Sequence, residues 1–270
     1  MCGIAGFIAK QNLPEKYFIQ FYECCMQMQH RGPDYSGFER LDNVLLVHHR
    51  LSIIDLDPRS HQPFHTADNN ISCVYNGELY NYKDLQYRYQ IPTYTTSDTE
   101  VLVESFGKKG TEIFSEWNGI FAAALFNKKE RKIHLVRDRL GVKPLYYYED
   151  ESMILFASEA KVIYSFLPQL KIDYEGLAEY LWYGNTITKR TVIKQVQKLQ
   201  PASFIEIDTS NGNITNTGTY WRNPGTTNTH INQQDAEQQV KNLLEKSVQR
   251  QLVSDAPLGV LLSGGIDSSS

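Results

Sequence analysis

Met1-Cys2-Gly3-Ile4-Ala5-Gly6 stands at the head of a 270-residue chain. Removal of Met1 would place a thiol and a free α-amine on the same residue, Cys2. An α-amine has an ordinary pKa near neutrality and can hold the thiol proton, and it is the thiolate that attacks carbonyl carbon. While Met1 stays attached, that nitrogen is an amide and Cys2 has no base of its own. Gly3, Ala5 and Gly6 allow other backbone to approach closely, and residues 4 to 9 read as a short apolar strand. Within these six residues alone an incidental small residue is the commoner reading of position 2, so the weight falls on what the rest of the chain supplies.

Composition narrows the classes. The length allows one or two domains, and 41% hydrophobic with 21% charged residues is ordinary for a globular protein. A formal charge of −4 without a basic run leaves no electrostatic footprint for nucleic acid or an anionic membrane surface. No apolar run reaches membrane-spanning length, and no charged segment followed by an apolar one marks a secretory signal. The cytoplasm is therefore the expected compartment. Cys2, Cys24, Cys25 and Cys73 lack metal-ligand spacing and are expected to stay reduced. His61 and His65 are four residues apart, but Pro63 between them argues against a helix, and no metal site is expected.

Along the chain, Pro14 opens a helix with Phe18, Phe21, Tyr22, Cys25 and Met26 on one face, stopped by His30-Arg31-Gly32-Pro33-Asp34. Val44 to His49 is a buried strand leading into Arg50-Leu51-Ser52-Ile53-Ile54-Asp55, followed by a proline-bearing loop over 56 to 70. Ile71 to Tyr75 is a strand running into Asn76-Gly77-Glu78-Leu79-Tyr80-Asn81, with Cys73 as a buried small hydrophobe and a helix-like segment to about Tyr89. Ser97-Asp98-Thr99-Glu100 opens a helix that Gly110 closes. Strands follow at Phe121 to Phe126, Ile133 to Val136, Tyr146 to Tyr148 and Met153 to Ala157. Asp173 caps a helix through Tyr183, and a hairpin turns at Asn211-Gly212. Two antiparallel sheets with separate helices make the class α+β. Polar residues 222 to 234 read as a linker, residues 236 to 252 as an amphipathic helix, and Pro257 to Leu262 as a buried strand delivering Ser263-Gly264-Gly265-Ile266-Asp267-Ser268-Ser269. A second domain is expected to begin there and to lack most of its body.

Several residues then acquire chemistry. Asn76-Gly77 offers one side-chain amide and one uncrowded N–H, the donors an oxyanion hole needs, although Asn-Gly is also a common turn. Arg50 is suited to a substrate carboxylate, or to a solvated surface pair. Glu78 and Asp98 are suited to a substrate ammonium, while Ser97 with Glu100 forms a capping box in which Asp98 would only complement the helix dipole. The glycine-rich turn at 263 to 265 is suited to phosphate, or is an ordinary turn. Taken together, a thiolate, an oxyanion hole, one cation and two anions describe an amino-acid amide as substrate.

These segments, with Arg137-Asp138-Arg139-Leu140-Gly141-Val142-Lys143-Pro144-Leu145-Tyr146, closely resemble the glutamine-hydrolysing asparagine synthetases, in order and over the entire chain. The resemblance implies an N-terminal-nucleophile glutaminase domain over about residues 1 to 210, a four-layer αββα sandwich of two antiparallel sheets. A hairpin and linker over 211 to 234 and the start of an α/β nucleotide-binding synthetase domain over 235 to 270 would follow. It implies Cys2 as nucleophile, Asn76 and Gly77 as oxyanion hole, and Arg50, Leu51, Ser52, Ile53, Ile54, Glu78 and Asp98 as glutamine-binding residues. Leu262, Ser263, Gly264, Gly265, Asp267 and Ser268 would contact ATP, with Mg2+ implied for the longer enzyme, and a homodimer is a further expectation. Ammonia from glutamine would attack an acyl-adenylate, with aspartate the expected acceptor. A sugar or other carboxylate as acceptor, and a catalytically silent module, stay open at this point.

Overall fold

The structure is a computed structural model that describes residues 1–225 and 231–269, the Ser269 side chain excepted. Strand β1 (Gly3–Ala9) is buried along its whole length. Its side chains alternate: Ile4 and Ile8 enter one apolar layer, Ala5, Phe7 and Ala9 another. That is the period of two of a strand covered on both faces. β1 lies between β3 (Val44–Arg50) and β9 (Met153–Ala157) in a six-stranded antiparallel sheet. The sheet continues to β2 (Tyr35–Leu41) on one side, and to β8 (Tyr146–Glu149) and β10 (Val196–Lys198) on the other.

The second six-stranded sheet runs β12 (Asn213–Thr219), β11 (Ser203–Asp208), β7 (Lys132–Arg137), β6 (Gly119–Asn127), β5 (Ile71–Leu79) and β4 (Phe64–His65). Ile4, Ile8, Val44 and Leu46 of the first sheet meet Val74, Ala122, Ala124, Ile133 and Leu135 of the second. Helices α1 (Glu15–Cys25) and α4 (Ala160–Phe166) cover the outer face of the first sheet, where the Phe7 ring lies 4.7 Å from Phe18, 5.7 Å from Phe21 and 5.8 Å from Phe166. Helices α2 (Tyr82–Tyr89) and α3 (Asp98–Lys109) cover the second, around Phe106, Phe114, Trp117 and Phe121. The chain is thus α+β, in four αββα layers. A further helix, α5 (Tyr174–Tyr183), starts as expected with the Asp173 carboxylate accepting from the Glu175 and Gly176 N–H groups, and ends at Gly184 in the left-handed region.

The structure corrects several expectations. The strand expected over Ile71 to Tyr75 runs on to Leu79, which places Asn76-Gly77 within β5, opposite Ala122 and Phe121 of β6. The first helix stops at Cys25 and tightens into a 3-10 turn over Met26–Arg31. The change of period buries Met28 and leaves the expected core residue Met26 37% exposed. Ser97 caps α3 through the Thr99 N–H, but Glu100 does not close the box; it turns back to the Tyr94 and Thr95 N–H groups and the Thr95 hydroxyl. Strand β2 was not foreseen, because Tyr35-Ser36-Gly37-Phe38-Glu39-Arg40 carries too little apolar alternation to signal it.

Near the C-terminus, helix α6 (Gln233–Gln251) forms, and the short α7 (Ile266–Ser269) follows. Residues 257 to 262 form no strand, and Val260, Leu261 and Leu262 are exposed. Among the described residues no strand lies beside them, and a buried strand needs neighbours for its N–H and C=O groups. Val240, Leu243, Leu244 and Val248 of α6 are likewise uncovered among the described residues. Part of the expected linker, 226–230, lies outside the described residues.

Candidate active site

Strand periodicity assembles the site. Cys2 has the parity of Ile4 and Ile8, which face the layer between the sheets. The register of Gly3 opposite His49 brings Arg50 of β3 alongside Cys2, with the parity of Val44 and Leu46. Asn76 has the parity of Val74 on the facing sheet. At this end the apolar filling stops, and a cavity of about 180 Å³ opens among Cys2, Arg50, Leu51, Ile53, Ile54, Asn76, Gly77, Glu78, Asp98 and Lys143. Met1, Ser60, Gln62, Tyr75, Ser97 and Thr99 complete its wall.

The Cys2 thiol lies against Leu51, 3.4 Å from the N–H that donates to it and 3.6 Å from the carbonyl that accepts from it. Burial raises the thiol pKa, although the Leu51 N–H, the chain's amino terminus and Arg50 work the other way. Burial lowers the pKa of the Met1 amine. Arg31 holds the Cys2 carbonyl through Nε at 2.9 Å and reaches Glu159 at 3.1 Å. A Cβ at Gly32 would run into the His49 carbonyl, and the Asp34 carboxylate accepts from the Ser52 N–H at 2.7 Å. The His30–Asp34 segment thus buttresses Cys2 and the loop after Arg50, roles that its residue types alone did not reveal.

Asn76 is 1% exposed, and among the described residues neither its Nδ2 nor its Oδ1 has a hydrogen-bond partner. An unsatisfied buried amide is costly, so its presence on a cavity wall points to a ligand group. N–H groups two residues apart leave one edge of a strand together. On this edge of β5 the Tyr75 N–H goes to Gln62 Oε1 at 2.6 Å and the Leu79 N–H to Asp98 Oδ2 at 2.8 Å. The opposing Phe121 instead donates its N–H to Asp138 Oδ2 at 3.1 Å and accepts at its carbonyl from the Asp138 N–H at 2.8 Å. Gly77, between them, therefore directs its N–H into the cavity beside the Asn76 amide. A side chain at Gly77 would collide with the Ile120 carbonyl and Phe121. Beneath Asn76, His48 ties the sheets together by donating from Nε2 to the Tyr75 carbonyl at 3.1 Å; burial lowers its pKa to about 3 and keeps it neutral.

Charge is distributed around the walls. Arg50 donates from Nη1 to the Asp57 carbonyl at 3.1 Å, and from Nη2 to the Ile54 carbonyl at 3.4 Å and to the Asp55 carbonyl. Its guanidinium is therefore no free fork: part of it shapes the loop that begins at Leu51. Asp98 is 4% exposed, accepts from the Tyr75 hydroxyl as well as from Leu79, and has its pKa raised to about 6 by burial, with Glu78 adding to the shift. Burial raises the Glu78 pKa too, while Lys143 opposes that. Lys143 has its own pKa lowered by burial and is the cavity cation that sequence reasoning passed over, although it stands within a quoted motif.

Not every expected residue meets here. Ser52 is off the cavity wall. Leu262, Ser263, Gly264 and Gly265 lie exposed away from this cavity and lead into α7, which carries Asp267 and Ser268; the Ser263 and Ser268 hydroxyls bond each other at 2.6 Å. His61 stacks on Tyr35, and His65 meets Ser72, so the two histidines serve separate contacts. Among the described residues no helix is long and apolar enough to cross a membrane.

Residues 1–221 match the family model described as a glutamine amidotransferase domain, and residues 239–270 match asparagine synthase. The whole chain aligns at 35% identity with 44% of asparagine synthetase [glutamine-hydrolyzing] 3 of Bacillus subtilis (strain 168). It also aligns at 33% identity with 56% of a putative asparagine synthetase [glutamine-hydrolyzing] 2 of Methanocaldococcus jannaschii. The chain thus spans about half the length of the curated relatives it matches. Among solved structures, an allosteric regulatory enzyme of purine biosynthesis superposes with a TM-score of 0.61 at 17% identity, over 82% of this chain and 50% of that one, a likeness of fold.

Proposed function

Because this chain belongs to the glutamine amidotransferase domain family, we propose that its cavity hydrolyses glutamine to glutamate and ammonia, with Cys2 as nucleophile. The observation that carries this reading is the Asn76 amide, buried and unpartnered on the same cavity wall as the Cys2 thiol. With Met1 removed, the α-amine of Cys2 takes the thiol proton, and the thiolate adds to the carboxamide carbon. The Asn76 Nδ2 and Gly77 N–H stabilise the oxyanion, and the proton passes to the departing ammonia. Water then hydrolyses the cysteinyl thioester to glutamate. Glu78 and Asp98 receive the α-ammonium of glutamine, and Arg50, beside the wall of Leu51, Ile53 and Ile54, receives its α-carboxylate. Ser52 contributes by anchoring that loop to Asp34.

For a chain of the relatives' full length we propose the asparagine synthetase activity that they are named for. ATP activates the aspartate carboxylate as an acyl-adenylate with loss of pyrophosphate, and ammonia displaces AMP to give asparagine. Residues 1 to 210 would carry the glutaminase, 211 to 234 the hairpin and linker, and 235 to 270 the start of the nucleotide domain. The segment from Ser263 to Ser268 offers serine hydroxyls and one carboxylate, Asp267, in the first turn of α7. That donor set suits Mg2+ when phosphates supply the remaining oxygens. The cytoplasm is the compartment this chemistry fits.

The test is intact-mass measurement after treating Met1-free protein with an electrophilic glutamine analogue. A single adduct on Cys2, together with glutamate release from untreated protein, is expected; labelling elsewhere overturns the assignment.

A further inference from the structure

Ile53 and Ile54 wall the cavity, yet a distant part of the chain holds them in place. After α6, Val253 packs against the core cluster between the second sheet and its helices, and the next residues run along the loop that follows Arg50. The Asp255 N–H donates to the Ile53 carbonyl at 2.9 Å, and the Ala256 N–H reaches the same oxygen at 3.3 Å. In return the Asp55 N–H donates to Asp255 Oδ2 at 2.7 Å. The exchange is reciprocal, so the loop cannot shift without breaking both directions of it. Asp55 has a φ of 51°, a left-handed conformation that a residue with a side chain adopts only when its surroundings impose it. From inside, Arg50 grips the Ile54 and Asp55 carbonyls of the same loop.

We propose that Asp255 is a positioning residue for the glutamine site, an inference that rests on the glutaminase reading above. It touches no substrate. By clamping Ile53 to Asp55 from outside, it fixes the cavity wall and the carbonyls that orient the Arg50 guanidinium. Residues 253–256 are therefore part of the glutamine site by mechanical action, although they lie beyond the matched amidotransferase segment.

Steady-state glutamine hydrolysis by Met1-free wild type, Asp255→Ala and Asp255→Asn tests this. Alanine removes the acceptor for the Asp55 N–H, whereas asparagine keeps an oxygen there. The KM of Asp255→Ala should rise about tenfold, the effect of one lost hydrogen bond to a charged acceptor, with kcat retained. Asp255→Asn, which keeps a neutral acceptor, should recover most of that loss. An unchanged KM in Asp255→Ala, a loss confined to kcat, or equal impairment of both variants overturns the proposal. Amide exchange at Asp55 in the unmutated protein tests the clamp without any variant: protection is expected, and exchange at the rate of free loop overturns it. A wild type that releases no glutamate overturns the glutaminase reading, and the proposal with it, while exchange at Asp55 still reports on the clamp itself.

Discussion

The Tyr75 hydroxyl donates to Asp98 Oδ2 at 2.9 Å, joining the helix-facing side of β5 to the first turn of α3. That bond and the one from Leu79 hold the carboxyl at the cavity although burial disfavours its charge, and the balance leaves its pKa at about 6. A substrate ammonium binds the ionised form. Glutamine affinity should therefore be full above about pH 6 and weaken by about tenfold per pH unit below it. Calorimetric titration of glutamine into a Cys2→Ser variant reads this directly. An affinity that stays flat through this range, or the same pH step persisting in Asp98→Asn, would remove Asp98 from the ammonium site.

Among the described residues the Asn76 amide has no hydrogen-bond partner, and as an oxyanion donor it should act on the transition state more than on the ground state. Asn76→Ala should lower kcat by roughly a hundredfold to a thousandfold, the range for losing one oxyanion donor, with KM little changed. Asn76→Asp, which sets a negative charge where the oxyanion forms, should be no better than alanine. A KM rise that accounts for the whole loss would mean that Asn76 binds glutamine and does not stabilise the oxyanion.

How much of this was legible in the sequence follows from the range of each signal. Alternation around Ile4 and Ile8 and around Val74 marks the buried strands, and strand parity carries Cys2, Arg50 and Asn76 to one end of the layer between the sheets. The role of the His30–Asp34 segment was not legible, because the contacts of Arg31 with Cys2 and of Asp34 with Ser52 span sequence distances that local pattern does not encode. Glu100 misled for the opposite reason: its spacing from Ser97 fits a capping box, yet three donors at Tyr94 and Thr95 compete for its carboxylate and win. The apolar run 257–262 signalled burial, which depends on neighbours absent from the described residues.

The motif from Arg137 to Tyr146 was recognisable before its purpose was, and the structure supplies the purpose. The buried Arg137 guanidinium donates to the carbonyls of Lys143 at 2.7 Å, Leu199 at 2.5 Å and Gly141 at 2.6 Å. The Asp138 carboxylate accepts from the N–H groups of Leu140, Val142, Lys143 and Phe121. The loop is thus wound around one buried cation and one buried anion, and its winding sets Lys143 on the cavity wall opposite Glu78. Removing the guanidinium leaves three carbonyls without donors. Arg137→Ala should therefore lower unfolding stability by about 3 kcal/mol, measured in urea, and raise the KM for glutamine as Lys143 loses its place. Arg137→Lys should recover only part of the stability, since an ammonium is a compact donor and cannot span three diverging carbonyls. Lys143→Met separates the two effects: the fold should keep its stability while glutamine hydrolysis weakens. A Lys143→Met protein with wild-type KM and kcat would show that the loop serves the fold alone.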